Sequence, residues 1–290
     1  MTASSTTSAY TYAPLDLSET GLNEICALVN RASGNNHLVP EYLRWQYLQN
    51  PGGSAVGFNA YLDGKLVSHY VTVPVAARVH GAPARGLLSI NTATDPAHMG
   101  KGLFTRLASM TYEAGQAQGF SYVVGVANDN SVYGFTRKLG FDAVGCLQTR
   151  FVCGHLVYRT APSPTSFSAQ WNRDALRWRL ANPKSSYCAK GSHIGAIVYG
   201  SSNRFQVMMH ESQQTDVLEF TPPPPVRVRL NPFKMWLGLD AEVDWDRTLS
   251  VQAPARLKAT SLTLIFRDLQ KLGAIDKTSV KFWAIDFDSY

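Results

Sequence analysis

Main-chain N–H groups that converge at the start of a helix can hold a phosphate or pyrophosphate. The first turn leaves its donors unpaired, and the helix dipole adds positive potential there. The segment Met99-Gly100-Lys101-Gly102-Leu103-Phe104 has the residues for such a site. Gly100 and Gly102 allow a tight turn, after which Leu103, Leu107, Met110 and Ala114 recur at helical spacing until Gly119. A strand over Arg85 to Thr94 feeds the turn through Asp95-Pro96, where Asp95 is expected to cap or redirect the chain. The spacing excludes a P-loop, which needs G-x-x-x-x-G-K-[ST], and a Rossmann loop, which needs a third glycine. The side chains of Leu103, Leu107 and Met110 belong to the core, so binding at this turn falls to the backbone.

A second segment, Asn128-Asp129-Asn130-Ser131 followed by Phe135, Arg137-Lys138-Leu139 and Gly140-Phe141, lies one strand and one helix further on. Together the two segments resemble the GNAT acetyltransferase superfamily. In that family an R/Q-x-x-G-x-G/A turn binds the CoA pyrophosphate. Here it falls on Met99, Gly102 and Phe104, with Met99 and Phe104 departing from the pattern and Gly102 keeping it. The second segment looks like N-x-x-(A/S)…(Y/F)-x-K-L-G-F, which closes the CoA arm. The resemblance covers about Tyr10 to Val152. It implies a twisted mixed sheet splayed between its fourth and fifth strands, with pantetheine in the splay. It also implies acetyl-CoA as donor, and cofactor contacts at Thr92, Thr94, Gly100, Lys101, Gly102, Leu103, Phe104, Thr105, Asn128, Ser131, Phe135 and Arg137. For Asn128 a strand-end cap is the competing role.

Acyl transfer to an amine needs the amine neutral, so a base must take a proton and an acid must protonate the leaving thiolate. His69, on a strand, is the first candidate base because an unperturbed imidazole titrates near working pH. A lone strand histidine also serves as a packing residue. His37, in the loop Gly34 to Pro40, is next, since the resemblance places that loop over the acceptor. Many GNAT enzymes take the acid from a Tyr in the helix after the fifth strand. Phe135 and Thr136 stand near that place here, and Tyr133, half a turn earlier, is the candidate. The chain is also similar to GNAT proteins among bacterial surface-polysaccharide enzymes, which implies a small-molecule amine acceptor such as an amino sugar or a nucleotide-linked amino sugar. A non-catalytic CoA sensor or scaffold, and a paired GNAT-fold aminoacyl transferase, are the alternatives.

The elements that must position these residues follow from the pattern. Tyr10 to Leu17 reads as a strand, Ser18 as the N-cap of a helix through Leu22, Ile25 and Leu28, and Pro40 as the start of a second helix with Leu43 and Trp45. Asp63-Gly64 joins strands Val56 to Leu62 and Lys65 to Val73, with further strands Val75 to Val79 and Arg85 to Thr94 around His80-Gly81. Phe120 to Val126 is a strand, Asp129 to Leu139 a helix, and Phe141 to Val152 a strand. The fold class is therefore α/β (α+β), with residues 10–158 as the GNAT-like domain after a Ser/Thr-rich flexible tail at 1–9.

The Pro/Ser-rich stretch Thr160 to Pro164 marks a linker over 159–168. In residues 169–290 the pattern restarts: Leu176-Arg177-Trp178 with Asn182-Pro183 echoes Leu43-Arg44-Trp45 with Asn50-Pro51. A strand at Ile194 to Tyr199, a strand-like Val226 to Leu239, a helix at Leu262 to Leu272 and a strand at Val280 to Phe287 follow. No glycine turn opens a helix there, so this half reads as a degenerate GNAT-like copy without the CoA loop.

With 290 residues and 45% hydrophobic content, the chain can bury a sizeable core. A formal charge of +6 suits an anionic ligand such as CoA, while the scattered Lys and Arg lack the stripe of a nucleic-acid binder. Cys26, Cys146, Cys153 and Cys188 form no C-x-x-C pair and the seven histidines do not fall at ligand spacing around them, so reduced, mostly buried thiols and no metal are expected. Without a signal-like start or an apolar run of membrane-spanning length, a cytoplasmic protein is expected; a homo-oligomer stays open.

Overall fold

The computed structural model describes residues 9–160, 164–202, 205–227, 231–254 and 261–287. The expected tail lies outside the described residues except for Ala9, as do residues 161–163 of the expected linker. The chain divides into two compact units. Unit 1 comprises residues 1–74 and 87–120, and unit 2 comprises 75–86 and 121–290.

Unit 1 begins with β1 (Thr11–Pro14), shorter than the strand read from sequence, then α1 (Glu19–Ser33) and α2 (Pro40–Leu48). Ser18 caps α1 by accepting the N–H of Gly21 at 3.2 Å, and Leu22, Ile25 and Leu28 bury its inner face. Pro40 opens α2, where its missing N–H costs nothing. The strands β2 (Val56–Leu62), β3 (Lys65–Val79) and β4 (Ala82–Thr94) follow, the last two continuing into unit 2. β1 and β2 pair antiparallel, as do β2 and β3, and β4 lies beside β3. After a 3₁₀ turn at Pro96–His98 comes α3 (Leu103–Ala117), which buries Leu103, Leu107, Ala108 and Tyr112. β3 is buried continuously from Leu66 to Pro74, so its polar residues must find partners inside. Ser68 meets Thr94 at 2.8 Å, Tyr70 meets Ser89 at 2.9 Å and Tyr112 at 2.5 Å, and Thr72 donates to the Val56 carbonyl at 2.9 Å.

Unit 2 carries β5 (Tyr122–Asn128), a short π-helical turn at Gly134–Lys138, β6 (Asp142–Cys146), β7 (Gln148–Cys153), β8 (Phe167–Ala169) and α4 (Arg173–Leu180). There follow β9 (Cys188–Gly191), β10 (Ala196–Ser202), β11 (Phe205–Ser212), α5 (Val217–Phe220), β12 (Phe233–Asp240), β13 (Ser250–Gln252), β14 (Leu262–Asp268) and β15 (Val280–Trp283). β9, β10 and β11 form an antiparallel meander, and β12 returns parallel to β11 after α5. A helix, three strands, a helix and a strand thus repeat the order of α2 to β5, with α3 shrunk to the single turn of α5. Asn50 and Asn182 close the two echoing helices in the same way: each side-chain carbonyl accepts the N–H two residues on, at 2.8 Å.

Several expectations are corrected here. Phe141 to Val152 is not one strand. It breaks at Leu147, and β7 leaves β6 to pair antiparallel with β12 and β13. Leu262 to Leu272 is not a helix. Its first seven residues are β14, which lies antiparallel between β5 and β6. The two stretches have traded places: a strand from the C-terminal half completes the sheet of β5 and β6, and β7 goes to the C-terminal strands. β14 has neighbours on both edges and buries Leu264, Ile265 and Phe266 in succession, and a short apolar run of this kind has no period to distinguish it from a helix. Val280 to Phe287 is strand only as far as Trp283, after which Ala284–Asp286 turns as 3₁₀ with Asp286 capping the Trp283 N–H at 2.6 Å.

A core in unit 2 gathers Val152, Ile197, Tyr199, Met208, Trp236 and Trp283. Beneath β5, Tyr122 stacks on Phe266 with centroids 5.4 Å apart and meets Phe167 edge-on at 5.6 Å. A Cβ at Gly86 would lie 2.1 Å from the Tyr122 ring, so only glycine fits there. Of the four cysteines, all free thiols, Cys26 alone is buried; Cys146 is exposed and Cys153 and Cys188 are half-buried, which corrects the expectation of mostly buried thiols. No helix among the described residues is long and apolar enough to cross a membrane.

Candidate functional site

In unit 1 the strand β4 delivers the chain to a pinned turn. Asp95 accepts the N–H of Ala97 at 3.0 Å and pairs with Arg31 at 3.0 Å. The Ala97 N–H first and the Arg31 guanidinium after it hold the Asp95 carboxyl below its usual range. His98 Nδ1 meets the Tyr10 hydroxyl at 2.8 Å, and the Lys101 ammonium lies 6.0 Å from the Tyr10 ring centroid.

Gly100 and Gly102 take φ of 75° and 77°, in the left-handed region that favours glycine. A Cβ at either would touch nothing within 4 Å, so backbone conformation rather than crowding selects glycine, and the turn is open on its outer side. Gly102 is the N-cap of α3 and has no side chain with which to cap it. No side chain at the N-cap position therefore competes with an outside acceptor at the first turn, as suits a phosphate site. Leu103 is buried, so only its main chain serves here. Phe104 turns inward, its ring edge-on to Tyr70 with centroids 5.7 Å apart, and thus does not lie across the turn. Thr105 is half-buried, Thr92 and Met99 are exposed, and the Thr94 hydroxyl is engaged by Ser68.

The second segment lies in unit 2. Asn128 Oδ1 accepts the N–H groups of Asn130 and Ser131, each at 3.1 Å, while Ser131 Oγ accepts the Asn128 N–H at 3.1 Å. This reciprocal turn gives Asn128 and Ser131 a local capping role. Phe135 is buried edge-on against Phe141 at 5.2 Å, Arg137 is exposed, and Tyr133 is 64% exposed. The helix expected over Asp129 to Leu139 is reduced to a turn and the π-helical Gly134–Lys138. Two residues separate Phe135 from Lys138, one more than the family pattern has, and the wider π turn absorbs the extra residue.

His69 departs from the geometry of a base. It is fully buried, its Nδ1 lies 2.7 Å from Asn59 Oδ1 and its Nε2 3.3 Å from the Tyr47 hydroxyl, and burial pushes its pKa down to about 3. A nitrogen enclosed and occupied in this way has no access to a substrate proton. His37 is exposed, in a loop tacked to α1 by Asn30, which both donates to and accepts from the Leu38 backbone.

The buried imidazole gives a signed pH dependence. Its folded pKa lies below the unfolded value of about 6.5, so its contribution to stability is complete above that pH and is lost as pH falls toward 3. Asp240 and Asp286 in unit 2, both raised to about 6 chiefly by burial, act in the opposite sense, favouring the fold at low pH and losing that contribution as pH rises through 6. The expected result for His69→Gln is a urea midpoint that falls less between pH 7 and pH 5 than that of the unaltered chain, by about 2 kcal/mol in unfolding free energy.

Sequence reasoning missed Asn91, whose φ of 46° is left-handed in the middle of β4. An Asn inside an otherwise strand-forming run was the available signal, because Asn is poor in strands and tolerant of positive φ.

Comparison with known proteins agrees with this arrangement. Residues 16–144 match the family model described as an acetyltransferase (GNAT) domain, a span that includes both segments. Among solved structures, a probable N-acyltransferase from Enterococcus faecalis V583 is similar at 10% identity with a TM-score of 0.64, over 90% of this chain and 73% of that one. A GCN5-related N-acetyltransferase from Anabaena variabilis ATCC 29413 is similar at 12% identity and TM-score 0.60, again over 90% and 73%. Eis1 from Mycobacterium abscessus is similar at 14% identity and TM-score 0.57, over 90% and 74%. These likenesses are of fold. None of the curated proteins matches the sequence. The match of residues 16–144 to a GNAT acetyltransferase domain, together with the fold of these N-acetyltransferase neighbours, supports an acyltransferase.

Proposed function

We propose that the protein moves an acetyl or other short acyl group from acyl-CoA to a primary amine, with the CoA pyrophosphate on the turn Met99 to Phe104. The observation that carries this reading is the uncapped start of α3 behind two left-handed glycines, open on its outer side. Gly100, Lys101, Gly102, Leu103, Phe104 and Thr105 contribute main-chain N–H groups, and the Lys101 ammonium adds charge. Within unit 2, the exposed Arg137 and the Asn128 turn are proposed contacts of the CoA arm. In the reaction the amine nitrogen bonds to the thioester carbon, the C–S bond breaks, the amine gives up a proton and the CoA thiolate takes one. Tyr133, exposed, is the proposed acid, and His37 the proposed proton acceptor.

The acceptor is proposed to be an amino sugar or a nucleotide-linked amino sugar, a class that the charge of +6 would favour when phosphorylated. Thiol release from acetyl-CoA should exceed background with at least one amine in a panel of free and nucleotide-linked amino sugars, polyamines and amino acids. Turnover with polyamines or amino acids alone would reject the sugar class, and no turnover with any amine would reject the enzyme reading.

A further inference from the structure

Seven polar side chains cross unit 1 in a continuous line. Asn91 Nδ2 lies 2.7 Å from Gln46 Oε1 and 3.1 Å from the Tyr47 hydroxyl, donating to both. Gln46 Nε2 donates onward to the Tyr42 hydroxyl at 2.9 Å. On the other arm, His69 Nδ1 faces Asn59 Oδ1 at 2.7 Å, and since an amide oxygen only accepts, the single proton of the neutral imidazole sits on Nδ1 and donates to Asn59. That leaves Nε2 as the acceptor of the Tyr47 hydroxyl at 3.3 Å, and Asn59 Nδ2 donates to the Tyr61 hydroxyl at 3.1 Å. Every bond runs away from Asn91, so the amide orientations and the imidazole tautomer fix one another. Burial holds the imidazole neutral and pushes the Tyr47 phenol up, so neither member changes charge near neutral pH.

Such a line is a poor proton wire, because the Asn59, Gln46 and Asn91 amides neither gain nor lose a proton readily. Its other capacity is to hold the residue from which all the bonds start. Asn91 is a non-glycine residue at φ 46° inside a strand, a conformation that costs on the order of 1–3 kcal/mol and persists only where its surroundings impose it. A single left-handed residue in a strand interrupts the pairing ladder and re-aims the neighbouring main-chain groups, a device common beside active sites. β4 then continues to Thr94 and, through Asp95, into the glycine turn.

We infer that the Asn91 amide, clamped to α2 by Gln46 and Tyr47 and backed by His69 and Asn59, is the positioning device that holds β4 in its left-handed break for acyl transfer. The inference rests on the acyl-CoA reading above. Asn91, Gln46, Tyr47, His69 and Asn59 touch no reacting atom in this account; they fix the backbone that must be in place before reaction, and catalysis is sensitive to placement errors of an ångström or less.

The test combines Asn91→Gly with Asn91→Asp in the full chain. Glycine keeps the left-handed backbone without strain and removes both clamp bonds. The expected result is kcat at least 10-fold lower with the KM for acetyl-CoA changed less than 3-fold and a melting temperature within a few degrees of the unaltered chain. Aspartate keeps the shape but only accepts, so the line must reverse, and ¹⁵N NMR should show the His69 proton moving from Nδ1 to Nε2. A kcat for Asn91→Gly within twofold of an active unaltered chain, or an Nε2–H imidazole in that unaltered chain, overturns the inference while leaving the acyl-CoA reading intact. An unaltered chain that neither binds nor turns over acetyl-CoA overturns both.

Discussion

Gly102→Val is expected to abolish stabilisation of the protein by acetyl-CoA. At a hundredfold excess over its dissociation constant a ligand contributes about 2.7 kcal/mol, which in a chain of this size raises the melting temperature by roughly 5–10 °C. Valine at φ 77° is strained by roughly 1–2 kcal/mol, and relief of that strain would turn the N–H groups of the turn away from their common point. Because nothing lies within 4 Å of the added Cβ, the fold itself should survive. Differential scanning fluorimetry with and without acetyl-CoA separates the two effects: a lower melting temperature for the variant alone measures strain, and a missing ligand shift measures the site. A full ligand shift in Gly102→Val would mean that the phosphates are held elsewhere.

Phe266→Ala is expected to have the largest effect on stability, about 3–5 kcal/mol. The ring is 2% exposed, stacks on Tyr122 and meets Phe167 at 6.0 Å, and sits on β14 between β5 and β6. Gly86 leaves room for the Tyr122 ring, which stacks on Phe266. Since β14 comes from the C-terminal half, the loss should be felt in unit 2 as a whole. Urea unfolding followed by tryptophan fluorescence and by circular dichroism should give coincident, lowered midpoints. A loss below 1 kcal/mol would show that the exchanged strand contributes little.

What could be read from the sequence was local. Ser18, Pro40, Asp63-Gly64 and the glycine turn all act through neighbours within four residues, and each occupies its expected place. The exchanged strands were not legible in the same way. Whether Leu262 to Asp268 is strand or helix is decided by β5 and β6, more than a hundred residues earlier, and its apolar run carries no period of its own. The break at Leu147 was hidden for the same reason, because β6 and β7 are both strand-forming and differ only in their partners.

At the candidate site the same division holds. The glycine turn and the Asn128 segment were visible as spacings. The burial of His69 was not, because it depends on α2 and β2 closing over β3 together. Phe104 departs from the motif, and only the position of Tyr70 shows its ring turned inward. The single extra residue before Lys138 became meaningful once the π turn that accommodates it was seen.

The central claim, one acyl-CoA held at the turn Met99 to Phe104, is tested most directly by isothermal titration of acetyl-CoA into the full chain and into Gly102→Val. The account predicts one equivalent bound per unaltered chain, since no helix among the described residues of the C-terminal half opens on a glycine turn, and no heat of binding for the variant. Two equivalents, none, or equal binding by the variant would contradict it.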